Sequence, residues 1–337
     1  MGAQVYQEQV AGRALAALDA AGDAPWDVRR VIVRSLRSQL AGTRRLPLAR
    51  VTRADTRVRR AIGRVLYGAH DVTHRMNLEL PPAPGADVVT LHDVVAWRFP
   101  DEAAPVPAAP EELRRAAAVI CVSAFTAQEA HDLLGLSDVH VIPNGVDEHF
   151  FDAVPLSAGE LAELGLPERF VLHAGGAAQR KNLDALAAAW PTVRRERPEL
   201  SLVLSGPPHP RRSALFAGLE GTVLTGRLPD GVMPRVLASA HAVVVPSTYE
   251  GFGLPALEAM AARVPVVAAA TSSLPEVVGD GGLLVAPAGP AIAEGLLAVT
   301  SGDADVHRMI GVARARAADF TWERCVAAHA RVWTSVG

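Results

Sequence analysis

Three scarcities narrow the possibilities for this chain. Its 337 residues include two cysteines, Cys121 and Cys325, too few for a disulfide framework, and both are read as buried packing residues. Long apolar runs are missing: Ala242 to Pro246 and Val264 to Ala270 fall far short of the roughly 18 to 20 residues that a bilayer span requires, so no transmembrane helix is expected. The first residues include Gln4, Gln7, Glu8 and Gln9, where a secretory signal would need an apolar stretch. The expected location is therefore cytoplasmic, extending to the inner face of the membrane. Lysine is almost absent. Lys181 stands alone against 32 arginines, and it follows Arg180 in a glycine-led segment.

The abundant residues set the architecture. Half the composition is hydrophobic, enough for two packed cores in a chain too long for one ordinary domain. Short β-branched runs alternate with Ala/Leu-rich amphipathic stretches, the pattern of parallel sheets covered by helices, so the fold class is α/β. Strands are expected near Val31, Val72, Val88 to Leu91, Val119 to Val122 and Val139 to Ile142. A second series is expected near Phe170 to His173, Leu202 to Leu204, Val223 to Leu224, Val243 to Val245, Val266 to Val267 and Leu283 to Val285. Turn-rich Pro143-Asn144-Gly145-Val146-Asp147 and then Pro155 interrupt both, which places a boundary near residues 143 to 168. This predicts domains at 1–150 and 151–320 and a helix at 321–337 that crosses back to the first domain. Ser123 is expected to cap a helix ending at Leu134 before Gly135, Asp230 to cap Pro234 to Ala240, and Thr321 to cap the final helix.

Net charge is only −3, which argues against a general nucleic-acid binder. Its distribution is uneven: the first 75 residues hold 14 Arg and 6 acidic residues, a net of +8. That lobe suits an anionic acceptor or an acidic membrane surface, a peripheral contact; the alternative is a solvated face in an Arg-biased composition.

Two segments carry chemistry. In Pro246 to Met260, a strand runs into a turn with Glu250, Gly251, Phe252, Gly253 and Leu254, and Pro255 then suits a first helical position. Glycines let an anion approach the backbone, and the free amides and dipole of the next helix attract negative charge. Glu250 in the turn and Glu258, read as lying in the first helical turn, are carboxylates able to accept from paired sugar hydroxyls. The second segment, Gly175-Gly176-Ala177-Ala178-Gln179-Arg180-Lys181-Asn182, follows the first strand of the same lobe. Its two cations suit a diphosphate whose bond to a sugar is breaking. Neither a Walker loop nor G-x-G-x-x-G is present. Asp303-Ala304-Asp305 is better read as a helix cap than as a metal site, and no metal is expected.

Glu250 to Pro255 with Glu258, the loop ending Arg180-Lys181-Asn182, and Ile142 to Asp147 together resemble the family 4 retaining glycosyltransferases of the GT-B fold, the glycosyl transferases group 1. Similarity runs over most of residues 86 to 330 and includes Val122 to Thr126 and Gly226 to Asp230. The resemblance implies two Rossmann-like domains facing across a cleft, and hexose transfer from a UDP- or GDP-linked donor to a carbohydrate, lipid-linked or small-molecule hydroxyl. It further implies retained anomeric configuration and no cofactor or metal. By position, Glu250 would bind the transferred sugar, Glu258 the ribose, and Arg180 and Lys181 the diphosphate. His92, beside Asp93, would contact the donor sugar. Gly2, Gly175, Gly176, Gly251, Phe252, Gly253 and Leu254 would line the donor site, with Gly226 and Leu228 at the base. Gly2 to Tyr6 looks like the family's first glycine-rich turn with no strand before it, so a shortened start is expected; an intact seven-stranded first sheet would refute that. The alternatives are a silent nucleotide-sugar-binding protein and a glycoside hydrolase using Glu250 and Glu258.

Overall fold

Fully buried β-branched strands alternate with helices that bury one face, and this sorts the chain into two α/β units. The computed structural model describes residues 2–22, 25–99 and 101–337, with Asp230 by its backbone only. The expected cap by the Asp230 side chain therefore lies outside the described residues, although a helix does run from Met233 to Ser239. One unit comprises Met1–Gly145 with Trp322–Gly337, the other Val146–Thr321. Among the described residues no helix is long and apolar enough to cross a membrane.

In the first unit, β1 (Val33–Ser35) and β2 (Arg44–Leu46) form a separate parallel pair. The expected strand near Val31 starts two residues late, and its partner, made of two arginines and a leucine, carries no strand pattern. Four further strands, β3 (Val72–Arg75), β4 (Ala86–Leu91), β5 (Ala118–Cys121) and β6 (His140–Val141), make a parallel sheet in that order. Among the described residues this sheet has four strands, not seven. Helix Ala124–Leu134 begins where Ser123 accepts the Thr126 amide at 2.9 Å and ends at Gly135, whose φ of 67° is left-handed. That geometry is why serine and glycine mark its ends.

Gly2–Ala21 is one continuous helix. The segment Gly2 to Tyr6 is thus its first turns, not a glycine-rich turn, and Gly2 is an exposed helical residue. The turn reading rested on a glycine that here only begins a helix. Tyr6, Val10, Ala14 and Leu18, spaced by four, form the buried stripe of this helix. It packs on the final helix, Trp322–Val336, which buries Trp322, Val326, His329 and Trp333.

The core of this unit is unusually polar. Arg59 makes a two-bond pair with Glu112 at 2.6 and 3.1 Å, and Arg75 does the same with Asp87 at 2.8 and 2.7 Å. Both guanidiniums are fully buried, and they donate further hydrogen bonds to the carbonyls of Val51, Leu78, Glu79 and Leu80. Burial works against the Arg75 charge, but Asp87 and Glu112 outweigh it and push its pKa up. Cys121 and Cys325 are both buried, which raises each thiol to about 12, so neither is a nucleophile at neutral pH.

The second unit holds six parallel strands: β7 (Phe170–Ala174), β8 (Ser201–Ser205), β9 (Thr222–Gly226), β10 (Ala242–Val245), β11 (Val266–Ala269) and β12 (Leu283–Val285). Their order is β12-β11-β10-β7-β8-β9. β7, β10 and β11 are buried almost throughout by valine, leucine and alanine, as strands covered on both faces must be. The chain starts at the centre, moves outward through β8 and β9, then returns to the other side of β7 as β10. This is the doubly wound nucleotide-binding order, with its switch point between β7 and β10. Near the end of this unit, Asp303 precedes helix Ala304–Ala317 with extended backbone, but its side chain makes no capping hydrogen bond. Among the described residues no group of acidic, histidine or cysteine side chains suits a metal ion.

Candidate functional site

In an open parallel sheet, loops leaving adjacent strands in opposite directions at the switch point leave a crevice at the strands' carboxyl ends. Here those loops are residues 175–182, after β7, and 246–253, after β10. They contain the two segments singled out from the sequence, which lie about seventy positions apart along the chain but are zipped together in space. The Thr248 amide donates to the Arg180 carbonyl at 2.8 Å, and Asn182 Nδ2 donates to the carbonyls of Pro246 at 2.9 Å and Pro287 at 3.0 Å. Asn182 holds this clamp with a left-handed φ of 54°, a conformation that asparagine tolerates better than most side chains.

Glu250 is the centre of the arrangement. Its carboxylate accepts from Lys181 Nζ at 2.5 Å and from Ser247 Oγ at 2.7 Å, and Arg180 Nη1 lies 3.7 Å away. Arg180 also donates to the Tyr249 carbonyl at 3.3 Å. Burial alone would raise the Glu250 pKa; the Lys181 charge and the hydrogen bonds from Lys181 and Ser247 outweigh it and hold the group below its ordinary value. The loop after β11 supports the turn from behind. Ser272 Oγ accepts the Glu250 amide, and Ser273 Oγ donates to the Glu250 carbonyl, both at 2.9 Å. Ser272 has a φ of 51°, a strained value for serine.

Beyond Glu250, Gly253 caps helix Leu254–Ala261 with a φ of 105° and no side-chain cap. A Cβ there would meet Leu274 at 2.8 Å, so glycine is needed for both its backbone angle and the close approach. Phe252 is buried edge-on against Phe320, with ring centroids 5.9 Å apart. Gly251 and Leu254 are half-buried beside it. Glu258 is the fifth residue of the helix, which has no acidic residue in its first turn. The first-turn placement read from the sequence is corrected, because the helix starts at Leu254 and not Pro255. Burial, with the charge of Asp147 adding, pushes Glu258 up to about 8.

On the β7 side, Gly175 donates its amide to the Ser205 carbonyl at 2.9 Å, and Gly176 is exposed. Arg212 is buried and donates to the Gly175 carbonyl, while Arg211 donates to the Ala177 carbonyl at 3.0 Å and pairs with Asp184. His173, on β7, is fully buried and held down to about 4 by burial. Its Nδ1 donates to the Val244 carbonyl at 3.2 Å, which leaves Nε2 as a buried acceptor without a partner. Gly226 ends β9 at a φ of 68°, and Leu228, just after it, is buried. Sequence reading missed Ser247, Ser272, Ser273, His173 and Arg212; only Ser247, inside the Glu250 segment, carried a local signal.

His92 belongs to the first unit, just after β4. It is hydrogen-bonded to the Met76 backbone, and its Nε2 is buried without a partner. Burial lowers its pKa against the opposing charge of Asp93. The Tyr6 ring stands perpendicular to it, centroids 4.7 Å apart. Tyr6 is also part of a hydrogen-bond chain whose direction can be assigned. His329 Nδ1 faces the Cys325 carbonyl at 2.8 Å and must donate, so its Nε2 accepts from the Tyr6 hydroxyl at 2.6 Å. Tyr6 then accepts from Thr90 at 2.7 Å, and Thr90 accepts from His74 Nε2 at 2.7 Å. Burial keeps both histidines neutral, with His329 at about 4 and His74 well below its ordinary value.

This geometry can be set beside known proteins. Residues 168–301 match the family described as "Glycosyl transferases group 1", and residues 83–150 match "Glycosyltransferase Family 4". The "O-antigen chain mannosyltransferase B" of Escherichia coli is 32% identical over 284 residues, which cover 75% of this chain and 71% of that protein. The chain belongs to the family 4 glycosyltransferases of group 1. The "MMP alpha-(1->4)-mannosyltransferase" of Mycolicibacterium hassiacum is 33% identical over 204 residues, 58% of this chain; the match spans only 48% of that relative. Among solved structures, the sucrose-phosphate synthase of Thermosynechococcus elongatus superposes with a TM-score of 0.65, covering 82% of this chain and 75% of that one at 22% identity. That likeness concerns the fold, and it makes this family 4 member a GT-B protein with two Rossmann-like units.

Proposed function

We propose that this chain transfers a hexose from a nucleoside diphosphate sugar to an acceptor hydroxyl, with retention of anomeric configuration and without a bound metal. One observation carries the reading: Lys181 and Arg180 on the β7 loop converge on Glu250 of the β10 loop at the switch point of a doubly wound sheet. Two cations and an uncapped helix start suit a diphosphate, and one carboxylate between them suits the hydroxyls of the sugar it carries. Gly175, Gly176 and Gly251 to Leu254 would lie along the donor, Glu258 at the ribose, and Gly226 and Leu228 at the base.

The chemistry asks mainly for charge compensation. The bond from the anomeric carbon to the diphosphate oxygen breaks, a bond to the acceptor oxygen forms on the same face, and the acceptor proton passes to the departing phosphate oxygen. Lys181 and Arg180 stabilise the charge that grows on that oxygen, which lowers the barrier more than it tightens donor binding. At neutral pH a protonated Glu258 can donate to one ribose hydroxyl and accept from the other. The names of both relatives favour a mannosyl donor.

Thermal unfolding in UDP, GDP, UDP-glucose and GDP-mannose tests this reading. One nucleotide series should raise the midpoint progressively with concentration, the added stability reaching about 2.7 kcal/mol at a hundredfold excess over Kd. No shift with any of the four, under conditions where the chain is folded, would remove the proposed donor site.

A further inference from the structure

We propose that the arginine-rich surface of residues 28–70 docks the protein on an anionic lipid bilayer. The inference does not rest on the donor site. Between Val28 and His70 the chain carries twelve arginines and one acidic residue, Asp55. That carboxylate is engaged by the Arg57 and Val58 amides as a helix cap. Of the twelve, only Arg59 is buried in the core. Arg30, Arg37, Arg44, Arg45, Arg50, Arg53, Arg57 and Arg64 are exposed. Arg29 pairs with Asp27, and Arg60 lies close enough to Glu111 to influence its charge. Among the described residues no other arginine on this surface has an ion pair.

Charge alone would suit any polyanion; the apolar side chains decide the partner. Leu36 and Leu40, in the connection between β1 and β2, are 61% and 63% exposed. Arg34 and Arg45 brace that connection by donating to the carbonyls of Ala41 and Leu40, each at 3.2 Å. Helix Thr56–Tyr67 adds Val65 at 86% exposure and Val58 at 47%, on the same outer face as Arg57 and Arg64. The Arg59 hydrogen bond to the Val51 carbonyl fastens this helix to the segment after β2. Exposed aliphatics among cations fit a surface with anionic headgroups over acyl chains. A single-stranded nucleic acid would call for exposed aromatics on which bases stack; the one aromatic in this stretch, Tyr67, is buried.

The test is co-sedimentation of the full chain with vesicles of phosphatidylcholine alone or mixed with phosphatidylglycerol, in about 0.1 M and about 1 M salt. Binding should be at least about tenfold stronger to the mixed vesicles and be lost at high salt. Arg37→Glu/Arg44→Glu should reduce it about tenfold or more, and Leu36→Ser/Leu40→Ser by about fivefold, with circular dichroism and the thermal midpoint unchanged. Equal binding to both vesicle types, no binding to either, or binding untouched by both pairs of substitutions would overturn the proposal. So would binding to heparin or single-stranded DNA in place of the mixed vesicles.

Discussion

The two units solve the same packing problem with opposite placements of their polar groups. In the second, apolar side chains fill β7, β10 and β11 with His173 as the exception, and the charged pair Lys181 and Glu250 lies in the loops at the strands' carboxyl ends. In the first, charged and titratable groups lie inside: Arg59, Arg75, Asp87 and Glu112 form a buried ion network, and a neutral chain runs from His74 through Thr90 and Tyr6 to His329. Polar groups at strand ends are free to meet a ligand. Polar groups in a core must satisfy one another, and what they gain is a fixed geometry at a cost in desolvation.

That contrast predicts where each unit breaks. The largest stability effect should come from Glu112→Ala, which leaves two buried guanidiniums short of their partner. A loss of about 3–5 kcal/mol is expected, read as a lower urea midpoint. A loss under about 1 kcal/mol would mean that water reaches the network. Tyr6→Phe should cost about 1–3 kcal/mol, because Thr90 and His329 both lose a partner. Hydrogen exchange in helix Trp322–Val336 should accelerate in the same variant.

Titration should then separate the units. His329 and His74 have folded pKa values below that of the unfolded chain, so the unfolded state binds more protons under pH 6.5. The His329 contribution is complete above 6.5 and is lost as pH falls toward about 4, and His74 acts in the same direction. Glu258 runs the other way: with a folded pKa of about 8 against an ordinary 4.5, its contribution is lost as pH rises through that interval. Glu258→Gln should raise the midpoint by roughly 5–10 °C near pH 9 and change it little near pH 4. A variant curve parallel to wild type across that range would show that Glu258 titrates alike in the folded and unfolded states.

The same contrast explains what the sequence disclosed. The second unit was legible because its signals are local: β-branched runs for strands, glycines where the backbone turns left-handed, two cations in a row, a glutamate before a helix start. Helix Ala124–Leu134 was legible for the same reason, through Ser123 and Gly135. What was illegible depends on distance along the chain. Arg59 finds Glu112 over 53 positions and Tyr6 finds His329 over 323, and neither pair leaves a pattern in a short window. His173 resembles any strand residue until β10 is laid beside it. β2 was missed because Arg44-Arg45-Leu46 has no strand preference of its own and is ordered by its pairing with β1. Gly2 to Tyr6 misled in the opposite sense, since a glycine before a helix can signal a turn or simply the first residue.

The convergence of Arg180, Lys181 and Glu250 at the switch point is best tested by comparing Lys181→Ala with wild type for release of nucleoside diphosphate from the donor that binds. If Lys181 compensates the departing charge, kcat should fall about 10²- to 10³-fold in a variant whose circular dichroism stays native, although the nucleotide-free midpoint falls because Glu250 loses its nearest cation. An unchanged kcat in a folded variant would contradict the assignment of this lysine, and with it the view that charge at these two loops drives the transfer.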